Sequence, residues 1–262
     1  MRGESGDNNY LPITSNSSAT WAYDAGDAIE AGNLIISKVE QDFGYGIRQQ
    51  YFHKSVILIL YHDCSFTKGI LLNRPNWTTL QDEKNYSWPI EFGGEVQGLS
   101  SNTPQLVCLH RLSEPMARSC SIPIIEPDLW STDFGHAQKL VQRGLATPQD
   151  FSVFCGYAGW GAGQLTEELV ERDCWHIVAT KAQTKWDELK ESRREDENDG
   201  TGVQSWRRLM RKIGRSSEAT MIQGDFDDAM LHEWANRNLR LHKKNCCKKT
   251  ETSWVKRTES QA

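Results

Sequence analysis

Short apolar runs separated by polar turns dominate the first two thirds of the chain. Residues 55–62, SVILILYH, are continuously apolar and β-branched, which is typical of a central strand buried on both faces. Pro75 must end the strand that precedes it or place that strand at a sheet edge. The same kind of pattern predicts further strands at 33–37, 68–75, 91–94, 105–111, 151–155 and 174–180.

A helical period is clearest at 131–144, STDFGHAQKLVQRG. Ser131, Thr132 or Asp133 can cap this predicted helix, and Gly144 stands at its C′ position. The apolar side chains that share one face are Phe134, Ala137, Leu140 and Val141. Strands and helices in this order predict a body of mixed α and β structure.

Three further segments predict helices. They are 164–172, 203–214 with Trp206, Leu209 and Ile213 on one side, and a last helix with Phe226, Met230 and Trp234 at i, i+4 and i+8, capped by Asp225. Such spacing places the apolar side chains of each helix on one face, which packs on the body.

Composition divides the chain into a folded body with polar ends. Residues 1–28 are polar and predict a disordered segment, 29–242 a single domain, and 243–262 a basic disordered tail. A charged insertion is predicted near 187–202, where acidic and basic residues lack an apolar face. The two terminal segments and the insertion have too few apolar side chains to offset the conformational entropy that is lost when a chain becomes ordered.

Charge is distributed unevenly. The formal net charge is -5, yet residues 237–257 carry about +7, so the remainder is strongly acidic. An acidic body opposes binding to phosphate groups, and nucleic acid is therefore an improbable partner except through the basic tail. No apolar run approaches the roughly 20 residues that span a bilayer.

The seven cysteines are scattered and odd in number, and no CxxC occurs. Reduced, partly buried thiols are the expected state, and a zinc site is not expected. No apolar segment follows Arg2, so no secretory leader is expected. The prediction is a soluble cytoplasmic protein.

A glycine-rich stretch, GYAGWGAGQLTEEL at 156–169, follows a predicted strand and opens a predicted helix. Strand–glycine–helix order is how phosphate sites are built, but neither GxGxxG nor GxxxxGK[ST] occurs here. Glu167 and Glu168 already complement the helix dipole. We therefore expect the glycines to serve close packing around Tyr157 and Trp160.

Candidate reactive side chains have structural explanations of equal or greater weight. Cys155 ends an apolar strand and is expected to be buried and inert, and no GxSxG supplies a serine nucleophile. Cys174 and His176, placed on one strand face, lack a third metal ligand. Arg74 either clamps a ligand carboxylate or ties down the fold, and the structural role is favoured.

The motifs together resemble the YqgE/AlgH family of bacteria and plant plastids. They are GNLIIS (32–37), FxxSVILI (52–59), GILLNRP (69–75), FGGEV (92–96), LVCLHR (106–111) and GYAGWGAGQLTEEL (156–169), with Trp175 and WRRLMRKIG (206–214). Departures are a longer FGYGIRQQY segment, Ala162 and Glu95 where proline is usual, and the charged insertion. The resemblance implies an α+β fold with a bifurcated, pseudo-barrel-like mixed sheet flanked by helices, and it makes a plastid the alternative compartment.

The resemblance implies no established reaction, cofactor or catalytic residue. The favoured hypothesis is a non-catalytic binding or regulatory protein with an unknown protein or small-molecule partner. The candidate binding residues are Asn73, Arg74, His110, Tyr157, Trp160, Gly161, Gly163 and Gln164. The alternatives are a hydrolase-like enzyme and a transcription-linked regulator. An enzyme would require polar groups to converge from His62, Arg74, His110 and Cys155. No cofactor and no metal are expected.

Overall fold

The computed structural model describes residues 22–39, 46–75, 78–183, 185–187, 189, 200–220 and 225–239. The predicted basic tail, most of the predicted N-terminal segment and residues 190–199 of the charged insertion lie outside these ranges. The described residues combine runs of consecutive strands with helices, which confirms the expected α+β class.

Twelve strands are found in the described residues. In chain order they are β1 (Ala22–Asp24), β2 (Leu34–Ser37), β3 (Val56–His62), β4 (Phe66–Leu71), β5 (Thr78–Gln81), β6 (Ser87–Phe92), β7 (Leu106–His110), β8 (Ile122–Ile125), β9 (Leu129–Asp133), β10 (Phe151–Cys155), β11 (Ala158–Gly161) and β12 (Trp175–Thr180).

The strands form two open sheets of six. The first has the order β1–β12–β2–β3–β4–β11, with antiparallel neighbours throughout, and the second has the order β5–β6–β10–β7–β9–β8. Only β6 and β10 pair in parallel, so the second sheet is mixed. Strand β3 lies inside the first sheet and is buried from Val56 to Leu60, which confirms the predicted central strand.

Backbone contacts join the two sheets beside β4 and β6. The Leu71 N–H donates to the Gly93 carbonyl at 3.0 Å, and the Phe92 N–H donates to the Arg74 carbonyl at 3.2 Å. The sheet is therefore bifurcated at this point, and the open strand orders leave no closed barrel.

Six α-helices and two 3-10 helices are continuous within the described ranges, and residues 182–183, 185–187 and 189 are also helical. The α-helices are α1 (Pro115–Ser119), α2 (Phe134–Gln142), α3 (Gln164–Val170), α4 (Val203–Lys212), α5 (Ser216–Thr220) and α6 (Asp225–Asn238), and the 3-10 helices are Gly46–Phe52 and Pro148–Asp150. None of these helices is long and apolar enough to cross a bilayer.

Three apolar clusters fill the spaces between the two sheets and the helices. The first lies between the sheets, where Leu58 and Phe154 from opposite sheets share it with Trp206 of α4. The second lies on the outer face of the first sheet under α3 and α6, and the third lies on the outer face of the second sheet under α2. The burial of β3 on both faces follows from this order, because its even-numbered side chains face the first cluster and its odd-numbered ones the second.

Helix α2 begins at Phe134, directly after the last of the three predicted caps. Residues 131–133 extend β9, because the second sheet offers them backbone partners on β7. Asp133 nevertheless caps the helix as predicted, since its Oδ1 accepts the His136 N–H at 2.9 Å.

The buried face of α6 differs from the predicted one. Phe226 is 68% exposed, whereas Leu231, Trp234 and Ala235 are buried in the second cluster. Apolar spacing correctly placed Trp234 in the interior but not Phe226, because the face of the helix that packs on the body is the one that carries Leu231, Trp234 and Ala235.

Two predicted segment boundaries also shift. Residues 22–24 were expected to be disordered, but they form β1 because β12 presents an unpaired edge to them. Thr201 and Gly202 belong to the predicted charged insertion, yet both are buried against the body.

Candidate functional site

A pocket of about 210 Å³ opens on the outer face of the first sheet. The 3-10 helix Gly46–Phe52, the loop after β6, strand β11 and helix α3 enclose it. Its aromatic walls are Tyr51, Phe52, Tyr157 and Trp160, and its polar side chains are Gln49, Glu95, Gln164 and Glu168. The glycine-rich stretch therefore forms one side of a concave site.

Glycines bring two sides of this pocket together. A Cβ added at Gly156 would lie 2.2 Å from the Gly94 carbonyl oxygen, and one added at Gly94 would lie 2.1 Å from the Tyr157 carbonyl carbon. Both glycines also have positive φ, 76° and 152°, which other residues rarely adopt. The expected close packing is confirmed here, and it places Glu95 at the rim opposite Tyr157, beside the bridge between Val96 and Tyr157.

A buried carboxylate holds the floor of the pocket. Glu168 is 3% exposed, and its Oε2 accepts the indole N–H groups of Trp160 and Trp175, each at 2.9 Å. Its Oε1 accepts the Gln164 amide at 3.0 Å. Every side-chain partner of this carboxylate is therefore an N–H donor.

Aromatic rings pack around this carboxylate. Trp160 is 2% exposed, its ring stacks on Phe52 with centroids 6.3 Å apart, and it meets Trp175 edge-on at 6.2 Å. Such contacts add to the burial of the rings. Trp160 therefore combines the predicted packing role with a hydrogen bond that the sequence pattern did not indicate.

The rim of the pocket carries groups whose proton affinities are shifted. Burial raises the pKa of Glu95 above its ordinary value, although the residue is exposed on its outer side. Burial, with a smaller contribution from Glu95, also raises the pKa of Tyr51, whose hydroxyl therefore stays protonated. Gln49 lines the same rim, and its buried Oε1 has no hydrogen-bond partner among the described residues.

Asn73 and Arg74 lie away from this pocket in the interior. The Arg74 side chain is fully buried, and its Nε and Nη1 donate to the carbonyls of Tyr51 and Thr201 at 3.0 and 2.7 Å. Its Nη2 donates to the carbonyl of His53. The guanidinium thus fastens the 3-10 helix and the segment before α4 to β4, and this geometry favours the structural role over a ligand clamp.

The Asn73 amide does similar work on the neighbouring backbone. Its Oδ1 accepts the Val56 N–H at 2.8 Å, and its Nδ2 donates to the carbonyls of Lys54 and Gly202 at 3.0 and 2.8 Å. Donor and acceptor atoms are both used within the fold, so no atom of this amide points to a ligand.

His110 is also buried, at the end of β7 in the second sheet. Its Nδ1 accepts the Leu112 N–H at 3.2 Å, and its Nε2 lies 2.9 Å from Ser121 Oγ, which itself donates to the Ala117 carbonyl. These bonds require the neutral ring with the proton on Nε2. Burial, with smaller contributions from His136 and Arg118, lowers the pKa of His110 to about 4.

The remaining candidates lie together. Tyr157, Trp160 and Gln164 line the pocket, and the exposed Gly161 donates its N–H to Gln164 Oε1 at 3.1 Å. Gly163 begins α3 with φ 71°. The structure thus brings together the five candidates from the glycine-rich stretch and separates them from Asn73, Arg74 and His110.

The groups required by an enzyme hypothesis do not converge. His110 and Cys155 lie at opposite ends of the paired strands β7 and β10, about 13 Å apart along a strand. His62 is exposed at the end of β3 and bonds to Thr67. Burial and the charge of Glu95 raise the pKa of Cys155 to about 12, which disfavours a thiolate nucleophile.

Cys174 and His176 were predicted to share one strand face, and this prediction is wrong. Cys174 precedes β12 and lies in the apolar cluster beneath α3, whereas His176 binds Glu218 at 3.1 Å near α5. No group of three or more potential metal-ligating side chains occurs in the part of the chain that the structure describes.

The sequence pattern did not indicate the carboxylates of the site or the residues that the 3-10 helix contributes to it. Glu168 was interpreted only as a dipole-compensating residue, although it lies three residues after Leu165 and one before Leu169 on the buried helix face. That spacing was the available indication. Gln49, Tyr51 and Glu95 carry no comparable local pattern, and only the fold brings them to the pocket.

Comparison with known families gives one match that covers most of the chain. A family model described as DUF179, AlgH-like, matches residues 45–217. These residues include every segment that lines the pocket.

The curated proteins that are similar to this chain include several UPF0301 proteins. One from Chlorobium limicola is 24% identical over 59% of this chain and 78% of its own length, and one from Dechloromonas aromatica is 31% identical over 56% and 80%. Among solved structures, a protein from Corynebacterium diphtheriae is similar with a TM-score of 0.50 at 16% identity, covering 75% of this chain and 94% of that one. The AlgH protein from Pseudomonas aeruginosa gives 0.47 at 18% identity, covering 70% and 90%.

Proposed function

The chain belongs to the AlgH-like family, and we propose that it is a non-catalytic binding protein whose ligand occupies the pocket beside Trp160. The observation that carries the proposal is the Glu168 carboxylate, which is buried at the pocket floor and held there by three N–H donors. A concave site with aromatic walls and a few oriented polar groups is the usual form of a small-molecule site.

Binding is favoured over catalysis by the arrangement of the polar groups. Glu168 is already saturated with donors, and Cys155 has a raised pKa and lies outside the pocket lining. General acid–base chemistry requires a group within hydrogen-bond reach of the reacting atom with a pKa near the working pH. These contacts therefore fit a pocket that recognises a ligand better than one that transforms it.

Trp160 and Trp175 provide a direct test. Their indole N–H groups contact the pocket floor, so their NMR resonances report occupancy. We expect members of a fragment library that mixes neutral, anionic and cationic compounds to shift the Trp160 resonance, and bound fragments to be recovered unchanged. Tyr157→Ala removes one wall and should weaken these fragments, whereas Tyr86→Ala, at a distant exposed tyrosine, should not.

Two results would contradict the proposal. If no fragment of any charge shifts the Trp160 resonance, the pocket is not a ligand site. If a bound fragment is converted to a product by the parent protein and not by Tyr157→Ala, the protein is an enzyme.

For the compartment we propose the cytoplasm, with a plastid as the alternative. Cys64, Cys108, Cys120 and Cys155 are free thiols, and free thiols persist in reducing compartments. Imaging of a fluorescent fusion of the full chain would separate the two locations.

A further inference from the structure

The polar lining of the pocket is rich in oxygen acceptors. Glu95 and Glu168 both contribute carboxylates, and the Gln49 Oε1 is buried without a partner among the described residues. The donors of Trp160 and Gln164 are already bonded to Glu168. Apart from the tyrosine hydroxyls and the remaining amide N–H groups of Gln49 and Gln164, a ligand meets acceptors, which favours a ligand with N–H or O–H donors.

Negative charge in the pocket has no cationic counterpart within the described residues. Neither Glu95 nor Glu168 forms an ion pair there. Lys68 lies 4.3 Å from the ring centre of Tyr157 but bonds to Gln105, and Arg237, beside Glu95 in the neighbouring depression, pairs with Glu233. An anionic ligand would therefore be repelled, and a cation would gain both carboxylates.

The walls suit a cation as well. Tyr51, Phe52, Tyr157 and Trp160 line the pocket with aromatic rings, and ring faces attract ammonium and guanidinium groups within about 6 Å of their centres. The contact between Lys68 and Tyr157 is an internal example of this attraction.

The volume of the pocket suits a small head group. A space of about 210 Å³ accommodates a guanidinium or an ammonium with a short alkyl stem.

From these observations we infer that the pocket binds a small organic cation, an ammonium or guanidinium group, between Glu95 at the rim and Glu168 at the floor. The inference rests on the proposed function, because it names the ligand class of the same pocket. A free amine and a lysine or arginine side chain of another protein present the same chemistry.

Matched probes test the inference and separate the two sources. The full chain is titrated with agmatine as a free cation, with N-acetyl-arginine methylamide as a protein-like side chain, with N-acetyl-citrulline methylamide as its neutral isostere, and with inorganic phosphate. Calorimetry gives the affinity, and the Trp160 indole resonance gives the location. We expect at least one cation to bind in the pocket, and the citrulline compound and phosphate to bind at least ten-fold more weakly.

A carboxylate exchange provides the control. Glu95→Gln removes the rim charge at an exposed position and should weaken the cation about five-fold, whereas Glu114→Gln, on an exposed residue beside the second sheet, should leave it unchanged. Agmatine binding alone indicates a free amine, and binding of the arginine amide indicates a protein side chain.

The inference is overturned if the citrulline compound or phosphate binds the pocket as tightly as the cations, or if Glu95→Gln has no effect. In either case the proposed function stands. If the cations leave the Trp160 resonance unmoved while other fragments shift it, the ligand class is wrong and the pocket is still a binding site. If no compound of any kind shifts it, both proposals fail.

Discussion

Trp160 Nε1 lies 2.9 Å from Glu168 Oε2, so that a strand of the first sheet and the helix that follows it are joined by one buried hydrogen bond. The Trp175 indole makes the same contact from β12, the strand after the helix. The glycine-rich stretch is therefore fixed at the pocket floor by its own tryptophan, and the carboxylate that it binds is part of both the core and the site.

Removal of the Trp160 ring should destabilise the fold. Trp160→Ala deletes a side chain that is 2% exposed, and we expect the free energy of unfolding to fall by about 3–5 kcal/mol. Trp160→Phe retains much of the aromatic side chain but loses the hydrogen bond, and it should lower the free energy of unfolding by about 1–2 kcal/mol. Denaturant unfolding measures both losses. Phe226→Ala, at an exposed position, is the control, and its free energy of unfolding should lie within about 0.5 kcal/mol of that of the parent. An unchanged midpoint for Trp160→Ala would contradict the packing role.

Replacement of the Glu168 carboxylate should cost stability even though the shape is kept. Glu168→Gln turns an acceptor into an amide that presents its own N–H groups to donor partners, and we expect a loss of about 2–4 kcal/mol. The adjacent Glu167→Gln is the matched control. Glu167 forms an exposed ion pair with Arg172, which contributes at most about 1 kcal/mol. Equal losses in the two variants would show that Glu168 is not the anchor of the pocket floor.

Arg74 should prove essential to folding. Its guanidinium is buried and donates to several backbone carbonyls, so Arg74→Met should lower the free energy of unfolding by about 3–5 kcal/mol. Arg74→Lys should restore little, because an ammonium cannot reproduce the planar fork. The exposed Arg211→Met serves as the control. A thermal melt of Arg74→Met that coincides with the parent would reverse the structural assignment.

His110 should make stability depend on pH on the acid side. The folded state keeps the ring neutral down to about pH 4, whereas the unfolded chain takes up the proton near pH 6.5. The contribution is therefore fully present above pH 6.5 and is lost as pH falls toward 4, by at most about 2 kcal/mol once solvent screening is allowed for.

His110→Gln tests this dependence because a glutamine cannot be protonated. We expect its unfolding free energy to fall less between pH 7 and 4.5 than that of the parent, as followed by denaturant titrations at each pH. The exposed His232→Gln should retain the parental slope. If His110→Gln also retains it, the ring does not titrate as the buried hydrogen bonds imply.

Local patterns in the sequence determined the elements whose partners lie nearby. The apolar run in β3 predicted a strand buried on both faces, and Asp133 was among the predicted caps of α2. Both signals depend on a few adjacent residues, and so they can be recognised in the sequence. The glycines around Tyr157 predicted close packing. The family motifs, together with these patterns, predicted the α+β class.

Only the tertiary structure decided where the site lies. Phe226 has the apolar spacing of a core residue but is exposed, and the guanidinium of Arg74 lies in the interior, where it donates to backbone carbonyls. Periodicity describes one face of one element and contains no information on what that face meets. The pocket requires Gln49, Glu95 and Glu168 to meet from three separate segments, and the close approach of Gly94 to Gly156 and the packing of α3 on the first sheet create that meeting.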